Sequence, residues 1–260
     1  MSDDSQSSFR ELTVGGIFRE SLVLYREMWT QLLLIVAPSS IISSIIYFLI
    51  FARQPDLTNT PAAPATAPST LLFVAFVLFL SLAVTTLGII AISERFLGAS
   101  VTISRAFLRF ADVFFPLLGT LVFASIIIVA GLFTFVIPGL VIYGWFCLAP
   151  AVVTIEGEGG FGALKRSYVI VKGYWNKAFF AVVLLAILQI IVASLIYSMS
   201  KLLGAFAGIT EVSEFLSILL PFLFIEPFKI TATTLLYYDL RIRKEGYTIQ
   251  TMADEFGALS

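Results

Sequence analysis

The sequence contains no histidine and only one cysteine, Cys147. Imidazole is the usual general base near neutral pH, the commonest metal ligand and the middle member of hydrolytic triads, so histidine-dependent sites are excluded. A single thiol cannot form an internal disulfide or supply a soft-metal or iron–sulfur site within one chain. The sequence also lacks a phosphate loop of the GxxxxGK[ST] or GxGxxG type. We therefore expect no metal and no cofactor, and an enzyme is the least favoured class of function.

Charged residues are also scarce. They make up 13% of the chain, whereas 59% of residues are apolar and the mean hydropathy is +0.99. Soluble globular proteins have about a quarter of their residues charged. This composition predicts an integral membrane protein. The formal net charge of −1 predicts no nucleic-acid partner and, taken alone, no anionic-lipid partner. Whether the chain contacts anionic lipid is therefore judged from how the charges are distributed along it.

Six apolar runs are long enough to cross the membrane, since about 30 Å of hydrocarbon takes roughly 20 helical residues. They lie at about 31–51, 70–92, 113–136, 139–155, 177–200 and 213–238. We expect an all-α membrane protein with six transmembrane helices in a single domain over 13–244. A disordered N-terminus (1–12) would precede this domain, and a short cytoplasmic tail (245–260) would follow it. The motif "VIPGL" predicts a tight turn at Pro138 and Gly139, between the third and fourth spans.

Basic residues predict how the spans are oriented. Most of the 16 Lys and Arg residues lie in the N-terminal region, the second and fourth connections, and the C-terminal region. Arg53 and Lys201 lie on the opposite side. Because Lys and Arg near span ends are retained in the cytoplasm, we expect a multi-pass protein of the cytoplasmic (inner) membrane with both termini in the cytoplasm.

Two segments that precede odd-numbered spans have helical, amphipathic spacing. In "TVGGIFRESLVLYREMW", a predicted Thr13 cap precedes an apolar stripe of Val14, Ile17, Phe18, Leu22 and Tyr25. In "GALKRSYVIVKGYW", the stripe consists of Leu164, Tyr168, Val171 and Trp175. We expect both segments to be interfacial helices on the inner leaflet.

The same segments raise the hypothesis of an internal repeat. Aligning Arg19 with Lys165 also aligns Trp29 with Trp175, and "SVTISRAFLRFADVFF" is a weaker third copy. The hypothesis is a threefold repeat of an interfacial helix followed by a helical hairpin. The alternative is that any basic amphipathic helix before a span looks alike.

The last span contains two charged residues, Glu226 and Lys229, at neighbouring positions on one helical face. An isolated charge at the bilayer centre costs about 2.5–3.5 kcal/mol, so a pair is expected. Gln189 in the fifth span is the comparable polar partner. Either these residues line a path, or the pair locks the last span to its neighbours, and the second alternative is favoured. Pro221 and Pro227 predict a kinked, locally unwound helix.

Basic residues near the predicted cytoplasmic surface are candidate contacts to anionic head groups. They are Lys165, Arg166, Lys172, Arg241, Arg243 and Lys244. The favoured alternative is that they only fix topology, with Tyr237 and Tyr238 in the aromatic belt. Asp239 and Arg243 have the spacing of an i,i+4 pair.

Two stretches carry a family resemblance: "VIPGLVIYGWFCLAPAVVTIEGEGGFGALKRSYVIVKGYWNKAFF" and "LLYYDLRIRKEGY". Pro150, Glu156 and Trp175 are among the telling residues. The chain resembles prokaryotic polytopic proteins that are similar to the membrane domain fused to some glycerophosphodiester phosphodiesterases. This resemblance implies a standalone six-span module in a prokaryotic cytoplasmic membrane. It implies no phosphodiesterase activity, because the catalytic domain of those fusions is a separate barrel that uses histidines.

We expect a non-enzymatic scaffold or accessory protein whose basic helices contact membrane lipids on the cytoplasmic side. The alternative function is a transporter or lipid-handling protein with a path near Glu226 and Lys229. No protein partner is indicated.

Overall fold

The computed structural model describes residues 13–47, 68–98, 103–246, 248, 251–252 and 254. Regular structure within these ranges is all helical. The helices are α1 (Val14–Glu27), α2 (Trp29–Tyr47), α3 (Pro68–Leu97), α4 (Ile103–Thr134), α5 (Val136–Phe146), α6 (Ala149–Glu156), α7 (Phe161–Val171), α8 (Trp175–Ala207) and α9 (Thr210–Glu245). The predicted disordered N-terminus and most of the predicted tail lie outside the described residues.

Six segments are long and apolar enough to cross a membrane. They are Trp29–Tyr47, Leu71–Leu97, Ala106–Thr134, Ile137–Glu156, Trp175–Ala207 and Val212–Glu245. They match the predicted spans in number and order, so the all-helical, multi-pass prediction is confirmed. The last two helices run past the predicted ends and stop at Gly208 (φ +68°) and Gly246 (φ +67°). Hydropathy marks where apolar residues end, whereas a left-handed glycine marks where the helix ends.

The hairpin between α4 and α5 turns at a different residue from the one predicted. Phe135 has extended backbone between the two helices, and Pro138 lies within the first turn of α5, where a proline is tolerated. Gly139 packs against α4, because a Cβ atom there would lie 2.8 Å from the Leu132 backbone nitrogen. The expected close hairpin is confirmed, but the turn predicted at Pro138 and Gly139 is wrong.

The fourth span is interrupted between α5 and α6, at Cys147 and Leu148. Pro150 has no N–H to donate to the Phe146 carbonyl, which accounts for the break. By contrast α9 is unbroken through Pro221 and Pro227, so the predicted unwinding is wrong. This helix packs against α1, α2, α3, α6, α7 and α8, and these contacts hold it where two main-chain hydrogen bonds are missing.

The two helices outside the six candidate spans, α1 and α7, each bury one face. Thr13 caps α1, and its side chain accepts a hydrogen bond from the Gly16 amide at 3.0 Å. Ile17 and Ser21 are buried, but Leu22 is half-exposed, so the predicted stripe is wrong at that position. The described part of the third segment in the proposed repeat, from Ile103 onward, forms no separate helix, because it belongs to α4 together with the third span. The interfacial location and the threefold repeat stay predictions.

Candidate functional site

Glu226 and Lys229 form an ion pair within α9. The Lys229 ammonium donates a hydrogen bond to Glu226 Oε2 at 2.7 Å. The Glu226 side chain is 15% exposed and the Lys229 side chain is 36% exposed, so neither charge is sealed in the protein core. The predicted pairing is confirmed, and both residues have room beside them for another molecule.

A cavity of about 330 Å³ lies between α3, α4, α5, α6, α8 and α9, beside this pair. We call it the polar cavity. Its polar lining consists of Ser81, Thr85, Ser125, Tyr143, Cys147, Gln189, Glu226, Lys229 and Thr233. The structure therefore brings together the three residues that the sequence singles out inside the membrane, Gln189, Glu226 and Lys229.

Several hydroxyl groups of the polar cavity already donate to the backbone. Thr85 donates to the Ser81 carbonyl at 2.8 Å, Ser125 to the Leu121 carbonyl at 2.7 Å, and Thr233 to the Lys229 carbonyl at 2.9 Å. Toward the cavity these hydroxyls can act only as acceptors. Donors to a bound molecule would come from the Lys229 ammonium, the Gln189 amide and the hydroxyls of Ser81 and Tyr143.

A second cavity, of about 310 Å³, lies between α2, α3 and α9. We call it the aromatic cavity. It is lined by Val36, Ser39, Ser40, Ser43, Tyr47, Phe73, Val77, Leu80, Ser81, Val84, Ile218, Phe222 and Glu226. Ser81 and Glu226 line both cavities. Glu226 therefore lies in the wall between a mostly apolar compartment and a more polar one.

A closed network of polar side chains joins α6, α7 and α9 at the end of the bundle that carries most of the basic residues. We call it the ionic ring, and it consists of Glu156, Arg166, Tyr237, Arg241 and Glu245. Arg166 binds Glu156 Oε2 at 2.7 Å and also pairs with Glu245. Arg241 donates to Glu245 Oε2 at 2.9 Å and to the Tyr237 hydroxyl at 3.2 Å. The Tyr237 hydroxyl donates to Glu156 Oε1 at 2.7 Å and closes the ring.

The charge of Arg166 is stabilised by this ring. Burial alone would lower the pKa of its guanidinium, but hydrogen bonds to Glu245 and Glu156 outweigh burial and raise that pKa. The Arg166 guanidinium therefore keeps its charge over the whole physiological pH range. Two arginines and two glutamates balance each other, so the ring ties three helices together with little net charge.

Asp239 forms a second ionic cluster on the same turns of α9. Its side chain is 1% exposed and pairs with Lys177 of α8 and with Arg243 of α9, the latter at 3.0 Å. The predicted i,i+4 pair is confirmed, and Lys177 is a partner that the sequence did not suggest.

Tyr237 and Tyr238 are fully buried, and Tyr238 stacks on Phe96, so their placement in an aromatic belt is wrong.

The candidate head-group contacts divide into two sets. Arg166, Arg241 and Arg243 bind carboxylates of the protein itself. Lys165 is exposed on α7 and Lys172 is exposed just after α7, and the Lys244 ammonium donates to the Lys172 carbonyl.

Among the described residues, no three His, Cys, Asp or Glu side chains are grouped to hold a metal ion.

Comparisons of the chain with protein-family models, curated proteins and solved structures found no match. The resemblance to membrane domains fused to glycerophosphodiester phosphodiesterases therefore stays a prediction.

Proposed function

We propose that this membrane protein is a transporter or lipid-handling protein whose path passes Glu226 and Lys229. One observation supports the proposal above all: Glu226 lines both the polar and the aromatic cavity. Ionisable residues inside a membrane are costly and commonly mark substrate or ion pathways. Cavities of this size are at the small end of ligand sites, which measure roughly 300–1,000 Å³. The proposal involves no catalytic step.

A non-enzymatic scaffold or accessory protein of the cytoplasmic membrane is the second candidate. The exposed Lys165 and Lys172 favour it, because they could contact anionic head groups at a membrane surface. Fewer basic residues support this function than the sequence suggested, since three of the candidate arginines bind internal carboxylates. A scaffold also gives no reason for a carboxylate between two cavities.

Cys147 provides a test, because it is the only cysteine and lines the polar cavity. We expect a charged, membrane-impermeant reagent, 2-(trimethylammonium)ethyl methanethiosulfonate, to modify Cys147 in protein reconstituted into liposomes. Thiols react as thiolates, which form where water reaches them. A path for polar or amphipathic molecules admits water to the cavity at least intermittently. Mass spectrometry of the intact protein would measure the modified fraction over time.

The control is Ser194→Cys in a Cys147→Ser background. Ser194 is exposed on α8 and is not among the residues that line either cavity, so it faces lipid. Cys147 should react at least about tenfold faster than this control cysteine, because a thiolate is disfavoured in hydrocarbon. Equal, negligible rates at both positions, with full modification after denaturation, would show a sealed interior and contradict the proposed path.

A further inference from the structure

We propose that the aromatic cavity binds a small organic ammonium cation with an apolar body, held by the Glu226 carboxylate. This inference rests on the proposed function and names the class of substrate. It follows from the charge, the aromatic lining and the hydrogen bonding of one compartment.

The charge of the cavity is set by Glu226. Among the described residues that line it, Glu226 is the only Asp, Glu, Lys or Arg. Lys229 lines the polar cavity but not this one. Its hydrogen bond occupies Oε2 of Glu226, and within the described part of the chain Oε1 is left for a ligand. A bound cation would therefore share the carboxylate with Lys229.

Aromatic side chains supply the second element of the site. Tyr47, Phe73 and Phe222 line the cavity, and the rings of Tyr47 and Phe73 lie 6.5 Å apart in a tilted arrangement. The negative faces of such rings attract cations and are the common means by which proteins recognise quaternary ammonium groups. The same rings and the aliphatic residues of the lining provide apolar surface for the body of the molecule.

Two hydroxyl groups of α2 also favour a cation. Ser39 and Ser40 both donate to the Val36 carbonyl, at 2.8 Å and 2.9 Å, so they offer only acceptor oxygens to a ligand. An anion would meet a carboxylate and these lone pairs. The cavity volume of about 310 Å³ suits a small amine better than a lipid with two acyl chains.

Two probes of similar shape and opposite charge test the assignment: benzyltrimethylammonium and phenylmethanesulfonate. We expect equilibrium dialysis with purified protein in dodecyl maltoside to show saturable binding of the cation and none of the anion. Glu226→Gln should weaken cation binding by at least about tenfold, because a desolvated charge contact is lost. Lys229→Gln should strengthen it, because the competing ammonium is removed.

Glu214→Gln is the matched control. Glu214 lies on the same helix and pairs with Lys201 at 2.8 Å, but it is not among the residues that line either cavity. Cation affinity should be unchanged in this variant. Phe222→Leu keeps the carboxylate and an apolar lining but removes one ring, and it should weaken binding several-fold. It serves as the second test if Glu226→Gln does not fold.

Three results would overturn the assignment: no saturable cation binding, equal binding of the sulfonate, or undiminished binding in the folded variants at Glu226 and Phe222. These outcomes are distinct from failure of the proposed function. If Cys147 is modified in liposomes but the cation does not bind, a path exists and the substrate class is wrong. If the cation binds but Cys147 is inert, the site exists without a path.

Discussion

Replacing Asp239 with asparagine is expected to lower the free energy of unfolding in detergent by about 3–5 kcal/mol, the usual cost of breaking a buried ion pair from one side. The Asp239 side chain is 1% exposed and pairs with Lys177 and Arg243. Asparagine keeps the shape but removes the charge that compensates these two cations. Since Lys177 lies in the first turn of α8 and Asp239 lies in the C-terminal part of α9, the contact between these two spans should loosen first. Circular dichroism during heating in dodecyl maltoside would measure the loss.

Glu27→Gln is the control for this prediction. Glu27 pairs with Arg95 at 2.9 Å, but both side chains are about half-exposed. Exposed pairs contribute about 0–1 kcal/mol to stability, so the variant should unfold at a temperature close to that of the parent protein. Equal effects of Asp239→Asn and Glu27→Gln would mean that burial does not strengthen the Asp239 cluster.

Replacing Arg166 with methionine is expected to cost about 2–3 kcal/mol of stability, because charge-assisted hydrogen bonds to two carboxylates are lost. The cost is below that of a fully buried pair, since the Arg166 side chain is 23% exposed. Methionine preserves an unbranched side chain, so packing changes little. Glu156 and Glu245 would then share Arg241 alone, and the ionic ring would open between α6, α7 and α9.

This variant also separates a structural role for Arg166 from contact with lipid head groups. A structural role predicts that Arg166→Met loses stability in detergent without added lipid. A head-group contact predicts normal stability in detergent and weaker association with anionic lipid. Lys165→Met is the matched control, because Lys165 is the neighbouring exposed cation on α7. It should leave stability unchanged, and a larger loss for Lys165→Met than for Arg166→Met would contradict the ionic ring.

The spans could be predicted from the sequence because hydropathy is a local property. Each apolar run reports its own tendency to cross the bilayer, whatever the rest of the chain does. The Glu226–Lys229 pair and the Asp239–Arg243 pair were predictable for a similar reason, since three- and four-residue spacings bring side chains together on one helix. The turn at Phe135 was missed because Pro138 lies in the first turn of α5 and Gly139 packs against α4, so neither residue forms the turn.

The cavities and the ionic ring could not be predicted in this way. The aromatic cavity depends on how α2, α3 and α9 pack, and the ring joins Glu156, Arg166 and Glu245 from three helices. The spacing of Arg241 and Glu245 was a local signal for one of its pairs. Nothing local distinguishes a tyrosine that faces lipid from one that is buried, which is why Tyr237 and Tyr238 were misplaced.

Glu226 and Lys229 are expected to serve a path and not to be needed for stability. The most direct measurement is the thermal stability in detergent of Glu226→Leu, Lys229→Leu and the double variant, compared with the parent. Removing one partner leaves a charge in an apolar setting, whereas replacing both often costs nothing. A role in a path predicts two destabilised single variants and a double variant at least as stable as the parent. A double variant as unstable as the single variants would show separate polar partners for each residue and a structural role for the pair.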